Sequence, residues 1–322
     1  MKLLSIIVPV YNERENIPLL FDAIKKAVAE LTVPWELILV DDGSKDGSVT
    51  ALEKVAKDNP KHVSVVVLRR NFGQTAAIAA GIDNSQGDVI VLLDADMQND
   101  PADIPLMLNK LDEGYDVVSG WRYDRQDAYL TRTLPSRMAN ALISWVTGVH
   151  LHDYGCTLKA YRREVITGFR LYGEMHRFIP VYANSVGAKI IEVRVRHHAR
   201  KFGKAKYGLE RTLKVILDLF TVKFLTGYAK KPIYLFGGTG ALLILISMAA
   251  MLFLGIRRIF WQVSVTNSPL FLIATTMGLM GFQSILMGLI AELLVRTYHE
   301  SQNKPIYTVR QVIDHTSSHG SK

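Results

Sequence analysis

Short runs of branched apolar residues recur along the first 120 residues of the chain. The runs are rich in Val, Ile and Leu and do not alternate with polar residues, which is typical of strands covered on both faces by helices. Amphipathic stretches separate them, so the pattern predicts a doubly wound α/β domain. Ligands bind beyond the carboxyl ends of the strands in such sheets, so we expect the chemistry to follow the runs. They cover residues 3–10, 36–40, 63–68, 89–93 and 117–119.

The pattern becomes mixed beyond residue 120. It predicts a helix over 129–146, a strand over 157–162, a helix over 175–186 and a strand over 190–197. The segment 209–228 combines apolar residues with cations at spacings that permit an amphipathic helix. Such a helix could pack on the protein surface or lie in a membrane interface. Its position directly before an uncharged stretch favours the interface.

Two long apolar segments follow. Residues 233–256 carry no charge, and residues 269–295 carry only Glu292 near their far end. A helix of about 36 Å exceeds the hydrocarbon core of a bilayer, about 30 Å, so the two segments are predicted to cross it as a hairpin. The basic residues flanking the hairpin outnumber Arg257 and Arg258 in its link, which predicts cytoplasmic ends. The flanking residues are Lys223, Lys230, Lys231, Arg296, Lys304 and Arg310.

Together these segments define the predicted organisation of the chain. A cytoplasmic α/β domain occupies residues 1–206, an interfacial region 207–231, a transmembrane hairpin 232–296 and a cytoplasmic tail 297–322. The hairpin contains several glycines, which close helix packing explains better than a phosphate-binding loop, because no strand precedes the first group. They are Gly237, Gly238, Gly240, Gly278, Gly281 and Gly288.

Composition narrows the class of partner. A formal net charge of +8 and a pI of about 9.4 indicate an anionic partner. The chain has no aromatic and basic pattern of the RNA-binding kind, so a membrane surface or a phosphorylated substrate is favoured over nucleic acid.

Cys156 is the one cysteine, which excludes an intramolecular disulfide and favours a buried apolar role over a nucleophilic one. The first apolar run is too short for a signal peptide, so the N-terminal domain is expected in the cytosol.

Two carboxylates and an amide follow the fourth apolar run. Asp94 and Asp96 lie on one face of an extended backbone, with Gln98 two residues further. Mg²⁺ and Mn²⁺ prefer oxygen ligands and commonly share one or two protein carboxylates with substrate phosphates. The alternative is that these acids cap the following helix, but Asp100 before Pro101 fits the cap better. The spacing therefore favours a metal that bridges a diphosphate.

A second acidic pair, Asp41 and Asp42, follows the second run. Counted from Asp42, the acidic and glycine positions partly match a calcium-binding helix-loop-helix. That motif needs an incoming helix, whereas residues 36–40 have the pattern of a buried strand. A carboxylate that holds a ribose or a base edge at the strand end is the better interpretation.

Histidines and cations further along leave alternatives open. His150, His152 and Asp153 could bind zinc, but no fourth ligand is near in sequence and exposed or hydrogen-bonded histidines are favoured. The basic string at 198–207 precedes the predicted interfacial helix, where a lipid phosphate would arrive. A solvated basic face explains the spacing equally well.

Five strings taken together resemble the family 2 glycosyltransferases of the polyprenyl-phosphate type. This group includes dolichyl-phosphate mannose synthases and undecaprenyl-phosphate glucosyl and aminoarabinose transferases. The string at 153–163 looks most like the aminoarabinose branch, and the string at 174–180 looks like the glucosyl and mannosyl branches. The five strings are Ile6-Ile-Val-Pro9-Val-Tyr11-Asn12-Glu13, Val40-Asp41-Asp42-Gly43-Ser44, Arg70-Asn71-Phe72-Gly73, Leu93-Asp94-Ala-Asp96-Met-Gln98 and His198-Ala-Arg200-Lys-Phe-Gly203-Lys-Ala-Lys206-Tyr207.

The resemblance implies a GT-A fold, a divalent cation, Mg²⁺ or Mn²⁺, and inverting transfer of a sugar to a polyprenyl phosphate. It implies a membrane enzyme whose catalytic domain lies at the cytoplasmic face of the inner membrane, and a homo-oligomer, often a tetramer, whose tail could dock on a neighbour. UDP is preferred over GDP because of the string at 153–156. Ala205 departs from the serine usual at that position.

The resemblance also assigns residues. Asp96 and Gln98 bind the metal, Asp96, Arg122 and Asp153 belong to the catalytic set, and Asp153 is best placed to act as a general base. A phosphate acceptor is already anionic at neutral pH, so we predict that no base is needed. The implied nucleotide-sugar residues are Pro9, Tyr11, Asn12, Glu13, Asp42, Arg70, Asp94, Ala95 and Arg177, and the implied lipid-phosphate residues are Arg132, Ser136, Arg200 and Lys206.

Two alternative functions are disfavoured by the sequence, and a third stays open. A processive polysaccharide synthase needs a Q-x-x-R-W motif and further spans, and neither is present. A catalytically silent scaffold or transporter subunit is disfavoured by the intact Asp94-Ala-Asp96 string and by the presence of only two spans. A dolichyl-phosphate mannose synthase using GDP-mannose is the alternative within enzymes.

Overall fold

A computed structural model describes residues 1–124, 134–167, 175–199, 233–262, 264–266, 268–301 and 309–313. The chain divides into two compact units, Met1–Val222 with Pro305–Lys322, and Lys223–Lys304. The predicted interfacial segment at 207–231 lies outside the described residues.

The first unit is built on an eight-stranded sheet in the order β7-β5-β6-β4-β1-β2-β3-β8. Strands β1 to β4 run parallel, β5 and β7 run parallel to each other, and β6 and β8 run antiparallel to their neighbours. The predicted strands are therefore confirmed in a mixed, Rossmann-like sheet. The strands are β1 Leu4–Val10, β2 Trp35–Asp41, β3 Val63–Leu68, β4 Val89–Leu92, β5 Val117–Arg122, β6 Lys159–Arg162, β7 Ile190–Val195 and β8 Val309–Ile313.

Helices cover both faces of this sheet. In α1 the residues Ile17, Leu20, Phe21 and Ile24 recur at helical spacing and are buried, so the periodic stripe faces the core. Asp100 caps the 3-10 turn Pro101–Asp103 by accepting a hydrogen bond from the Ala102 N–H, as predicted. The helices are α1 Asn16–Val28, α2 Ser48–Asp58, α3 Gln74–Asp83, α4 Ile104–Asp112, α5 Leu134–Thr147, α6 Arg163–Ile166 and α7 Ile179–Ser185, with a second 3-10 turn at Met175–Phe178.

One strand of the sheet was not predicted. Residues Val309–Ile313 form β8, which pairs antiparallel with β3 at the sheet edge, with Val66 opposite Val312. The residues lie beyond the apolar segments in sequence, and Ile313 packs against the core of the first unit. The end of the chain thus contributes to the same sheet as its beginning.

The second unit consists of α8, Ile233–Trp261, and α9, Pro269–Ser301. Within them, Leu235–Trp261 and Pro269–Ala291 are long and apolar enough to cross a membrane, with mean hydropathies of 2.3 and 1.7. Few of their residues are buried, unlike those of a core helix in a soluble protein. α9 extends past residue 296, where the predicted hairpin ended.

Small residues allow the two helices to approach closely. A Cβ built on Gly240 would lie 2.5 Å from the Gly281 carbonyl oxygen, so only glycine permits this crossing. Ser247 Oγ donates to the Ala274 carbonyl oxygen at 2.6 Å about two turns further along. The predicted packing role of the glycines is confirmed here, whereas Gly238 faces open space.

Candidate active site

The loops after β1 and β2 interlock through hydrogen bonds between backbone N–H groups and side chains. Asn12 adopts φ 52°. Its N–H donates to Ser44 Oγ at 2.9 Å, and its side-chain oxygen accepts from the Lys45 N–H at 2.8 Å. The Glu13 N–H donates to Ser48 Oγ at 3.0 Å. These contacts fix the loop that carries Tyr11, Asn12 and Glu13 against the acidic loop that follows β2.

Asp42 joins this loop to the segment after β3. Its buried carboxylate accepts from the Phe72 N–H at 2.7 Å and from the Gly73 N–H at 3.0 Å. Burial raises the pKa of Asp42, and the two backbone hydrogen bonds oppose that shift. Arg70 is exposed, with its guanidinium 4.4 Å from the centroid of the Phe72 ring. The structure thus brings Asp42 and Arg70 together.

Asp94 is held between two distant parts of the chain. Gln74, the first residue of α3, donates through Nε2 to Asp94 Oδ1 at 2.7 Å. Thr157 Oγ1 donates to Asp94 Oδ2 at 2.5 Å. The sequence did not identify Gln74 or Thr157. No local pattern marks them, because each forms its hydrogen bond with a residue that is far away along the chain. Ala95 beside Asp94 is buried.

The turn after Asp94 offers oxygen donors suited to a hard cation. Asp96 is half-buried, and its Oδ1 accepts from the Gln98 N–H at 3.1 Å, while Met97 between them adopts φ 62°. Among the described residues no group of three or more His, Cys, Asp or Glu side chains could hold a metal by itself. A cation at Asp96 and Gln98 therefore needs further oxygens from a substrate, as Mg²⁺ commonly does with phosphates. The donor set fits such an ion.

The residues after β7 lie against this turn. The His198 N–H donates to the Gln98 carbonyl oxygen at 2.8 Å, and His198 Nε2 lies 3.2 Å from Asp100 Oδ2. Asn99 and His197 form an isolated β-bridge. The start of the basic string is thereby joined to the acidic turn. Of the residues expected at a lipid phosphate, Arg132, Arg200 and Lys206 lie outside the described residues, and Ser136 lies in the first turn of α5.

Arg122 and Asp153 form a two-point ion pair at the end of β5. Arg122 Nε donates to Asp153 Oδ2 at 2.7 Å, and Arg122 Nη2 donates to Oδ1 at 2.9 Å. The side chains are 15% and 3% exposed, respectively. The Arg122 and Gly155 backbone N–H groups also donate to the carboxylate, at 3.3 and 3.1 Å. Such a carboxylate orients a guanidinium firmly.

The loop that carries Asp153 is supported by a buried lysine and a half-buried glutamate. Lys159 is buried and donates through Nζ to the carbonyl oxygens of Tyr154 and Cys156. Glu192 of β7 accepts from the N–H groups of His152 and Asp153, each at 3.0 Å through Oε1. Sequence reasoning missed both roles, because the partner of each side chain is loop backbone, which no sequence pattern marks.

Two interpretations from the sequence can be placed in this loop. Burial raises the pKa of the Cys156 thiol to about 12, which agrees with the expected apolar role and not with a nucleophile. His152 stacks on Trp121 with ring centroids 4.2 Å apart and contacts Glu192 through Nδ1 at 2.7 Å. The zinc alternative gains no support among the described residues.

Arg177 lies in the 3-10 turn Met175–Phe178, which packs on the start of α3. The preceding residue, His176, places Nδ1 2.7 Å from Thr75 Oγ1. Thr75 follows Gln74, the partner of Asp94. The structure therefore brings the string at 175–178 to the same edge of the sheet as Asp94. Pro9 is buried in β1, which ends one residue later.

Comparisons with known proteins agree with this arrangement. The sequence model of Glycosyl transferase family 2 matches residues 5–169. A dodecaprenyl-phosphate galacturonate synthase of Rhizobium johnstonii is 41% identical over 98% of this chain and 94% of its own length. An undecaprenyl-phosphate 4-deoxy-4-formamido-L-arabinose transferase of Proteus mirabilis is 37% identical over 96% of this chain and 93% of its own.

Solved structures share the fold at lower identity. A glucosyl-3-phosphoglycerate synthase from Mycobacterium tuberculosis in complex with Mn²⁺ and uridine-diphosphate-glucose has a TM-score of 0.53 and 20% identity. The match covers 70% of this chain and 79% of that one. It shows that the first unit has the GT-A type of sheet domain.

Proposed function

The chain belongs to glycosyl transferase family 2, and we propose that it transfers a sugar from a nucleotide-sugar, preferably a UDP-sugar, to a polyprenyl phosphate with inversion at the anomeric carbon. The apolar helix pair spans the cell's inner membrane in this proposal, and the sheet unit works at the cytoplasmic face. We propose the domain division at 1–206, 207–231, 232–296 and 297–322 and a homo-oligomeric state, a tetramer by resemblance.

The extent of the likeness carries the proposal. The relatives named for polyprenyl-phosphate sugars match nearly the whole chain, including the apolar helix pair, whereas the glucosyl-3-phosphoglycerate synthase matches only part of it. A helix pair long enough to span the bilayer would keep such an enzyme at the membrane that holds its lipid acceptor. The fold alone would fit many acceptors.

The donor diphosphate is proposed to lie between the acidic turn and Arg122. Asp96 and Gln98 would hold Mg²⁺ or Mn²⁺, which when bound supplies positive charge against the diphosphate. Arg122, oriented by Asp153, presents a fixed guanidinium to the charge that develops on the leaving diphosphate. Pro9, Tyr11, Asn12, Glu13 and Asp42 are proposed to hold the nucleoside, with Arg70, Asp94, Ala95 and Arg177 around the rest of the donor.

The acceptor phosphate is proposed to arrive from the side of the basic string. The hydrogen bond from His198 to Gln98 joins the beginning of that string to the acidic turn. Arg200 and Lys206 within the string, with Arg132 and Ser136, would bind the phosphate through charge-assisted hydrogen bonds. Donor and acceptor would then meet near Asp96.

The proposed reaction is a direct displacement. A phosphate oxygen of the lipid forms a bond to the anomeric carbon while the bond from that carbon to the diphosphate oxygen breaks. The second pKa of a phosphate monoester is about 6, so an anionic oxygen is already available at neutral pH. Asp153 is paired with Arg122 and is therefore proposed to position that residue and not to accept a proton.

The test is a panel of UDP- and GDP-sugars incubated with the full-length protein in membranes, with and without polyprenyl phosphate. We expect a lipid-linked sugar and release of nucleoside diphosphate only when the lipid phosphate is present, and NMR of the product should show inversion. If GDP-mannose is the one donor in the panel that gives a lipid-linked product, the result would favour the dolichyl-phosphate mannose synthase alternative. A catalytically silent scaffold would give no product from any donor, and that result would overturn the proposal.

A further inference from the structure

Asp153 lies in a loop that has no hydrogen-bonded helix or strand to fix its backbone. Between the end of α5 at Thr147 and the start of β6 at Lys159 the chain is in neither helix nor strand. The two-point pair with Arg122 is sensitive to the position of this loop, because a guanidinium follows the carboxylate that it binds. Other contacts must therefore fix the backbone at Asp153.

Glu192 supplies the most direct of these contacts. Its Oε1 accepts from the His152 and Asp153 N–H groups at 3.0 Å each. Its Oε2 accepts from the His152 N–H at 3.1 Å and lies 2.7 Å from His152 Nδ1. The side chain is 11% exposed, so water cannot easily replace it.

The sheet in turn fixes Glu192. It lies within β7, in register with Ser119 of β5, and β5 ends at Arg122. Glu192 and Arg122 therefore belong to paired neighbouring strands, and Asp153 belongs to a loop that contacts both residues. On the other side of the loop, Asn140 of α5 donates through Nδ2 to the His152 carbonyl oxygen at 2.7 Å.

We propose that Glu192 is a positioning residue for glycosyl transfer, because it fixes the backbone at Asp153 and thereby the direction in which Arg122 faces the donor diphosphate. This rests on the proposed function, in which Arg122 meets the leaving group. The useful feature of Glu192 is an oxygen that accepts two adjacent backbone N–H groups. Its negative charge is not required for that.

Three variants of the full-length protein separate this role from a general structural one. Glu192→Ala should lower kcat about tenfold, since displacement of a positioning group by about 1 Å can cost up to about a hundredfold. Glu192→Gln keeps an acceptor oxygen and should recover most of that loss. His152→Ala keeps the backbone N–H groups and should stay within about threefold of wild type. Thermal unfolding should show all three variants folded at the assay temperature, with Glu192→Ala the least stable.

The decisive measurement is a double-mutant cycle with Arg122→Lys. If Glu192 acts through Arg122, Glu192→Ala should add little to the loss that Arg122→Lys already causes. An equal additional loss in both backgrounds, a Glu192→Gln enzyme as slow as Glu192→Ala, or full activity of Glu192→Ala would each overturn the proposal.

Affinity for a nucleoside diphosphate extends the cycle to a measurement without turnover. Calorimetry with UDP and GDP should show weaker binding on Glu192→Ala in the wild-type background and no further weakening in the Arg122→Lys background. If the wild-type protein makes no lipid-linked sugar but this coupling is present, the proposed function fails and the positioning role stands. If the protein makes product but the coupling is absent, the positioning role fails alone.

Discussion

The carboxyl edge of the sheet has two acidic corners that are built differently. In one corner, formed by Asn12, Asp41 and Asp42 and called the nucleoside corner after its proposed ligand, the carboxylates accept hydrogen bonds from backbone N–H groups of nearby loops. In the transfer corner, formed by Asp94, Arg122, Asp153 and Glu192, contacts between side chains from different strands and loops are added to such backbone hydrogen bonds. Changes in the first corner should therefore act mainly on folding and donor binding, and changes in the second mainly on turnover.

The largest effect is expected at Asp96, which adjoins the transfer corner. Asp96→Asn should lower transfer by more than about a thousandfold at ordinary Mg²⁺ or Mn²⁺ concentrations, because the amide loses the charge that holds the cation. The rate of lipid-linked product formation in membranes checks this. Asp100→Asn is the matched control, since asparagine also caps a helix, and it should stay within about threefold. An Asp96→Asn enzyme within tenfold of wild type, or wild-type activity that survives a chelator, would contradict the metal role.

In the nucleoside corner the expected effect is on stability. Gly43 has φ 72°, and a Cβ there would lie 2.5 Å from the Arg70 carbonyl carbon. Gly43→Ala should cost about 3 kcal/mol, from left-handed strain together with displacement of the Arg70 backbone. Thermal unfolding in detergent measures the loss.

Gly47→Ala is the matched control for that change. Gly47 has φ 89°, but the nearest atom to its Cβ would be Arg14 Cδ at 3.5 Å. The substitution should cost only the left-handed strain, about 1 kcal/mol. Equal losses for the two variants would show that the close contact with Arg70 is unimportant.

Arg200 is expected to separate donor from acceptor. Arg200→Ala should raise the KM for the lipid phosphate about thirtyfold and leave the KM for the nucleotide-sugar nearly unchanged, because only the acceptor should meet this guanidinium. Steady-state kinetics with each substrate varied in turn checks it, with Lys201→Ala as the control from the same string. An equal rise in both KM values would place Arg200 at the donor.

The two corners also differ in how far the sequence predicted them. The strand ends and their acidic residues followed from apolar runs, since runs buried on both faces identify parallel strands. The partners Gln74, Thr157 and Glu192 could not be predicted, because their contacts join segments far apart in sequence and none belongs to a periodic pattern. For the same reason β8 was missed: the run Val309–Ile313 is short and mixed, and its partner strand β3 precedes it by most of the chain.

The smallest effect is expected at Asp153. A substitution there distinguishes a reaction that needs a general base from one that does not. A neutral hydroxyl acceptor would need a base, and loss of a true general base lowers rates by roughly 10²- to 10⁴-fold. A phosphate acceptor with a second pKa of about 6 brings its own anionic oxygen. Asp153→Asn keeps one acceptor oxygen for Arg122 and loses the charge, so we expect turnover about tenfold below wild type.

The pH dependence of that variant decides between the two chemistries. If Asp153 only positions Arg122, the ratio of wild-type to Asp153→Asn turnover at saturating substrates should stay constant from about pH 6 to 9, because no proton leaves Asp153 during the reaction. Arg122→Lys is the companion variant, since it alters the other partner of the same ion pair. The ratio of wild-type to Arg122→Lys turnover should likewise stay constant over this pH range. A loss beyond a thousandfold at pH 7 that eases as the pH rises would show that proton removal matters, and would make Asp153 a base and not a partner for Arg122.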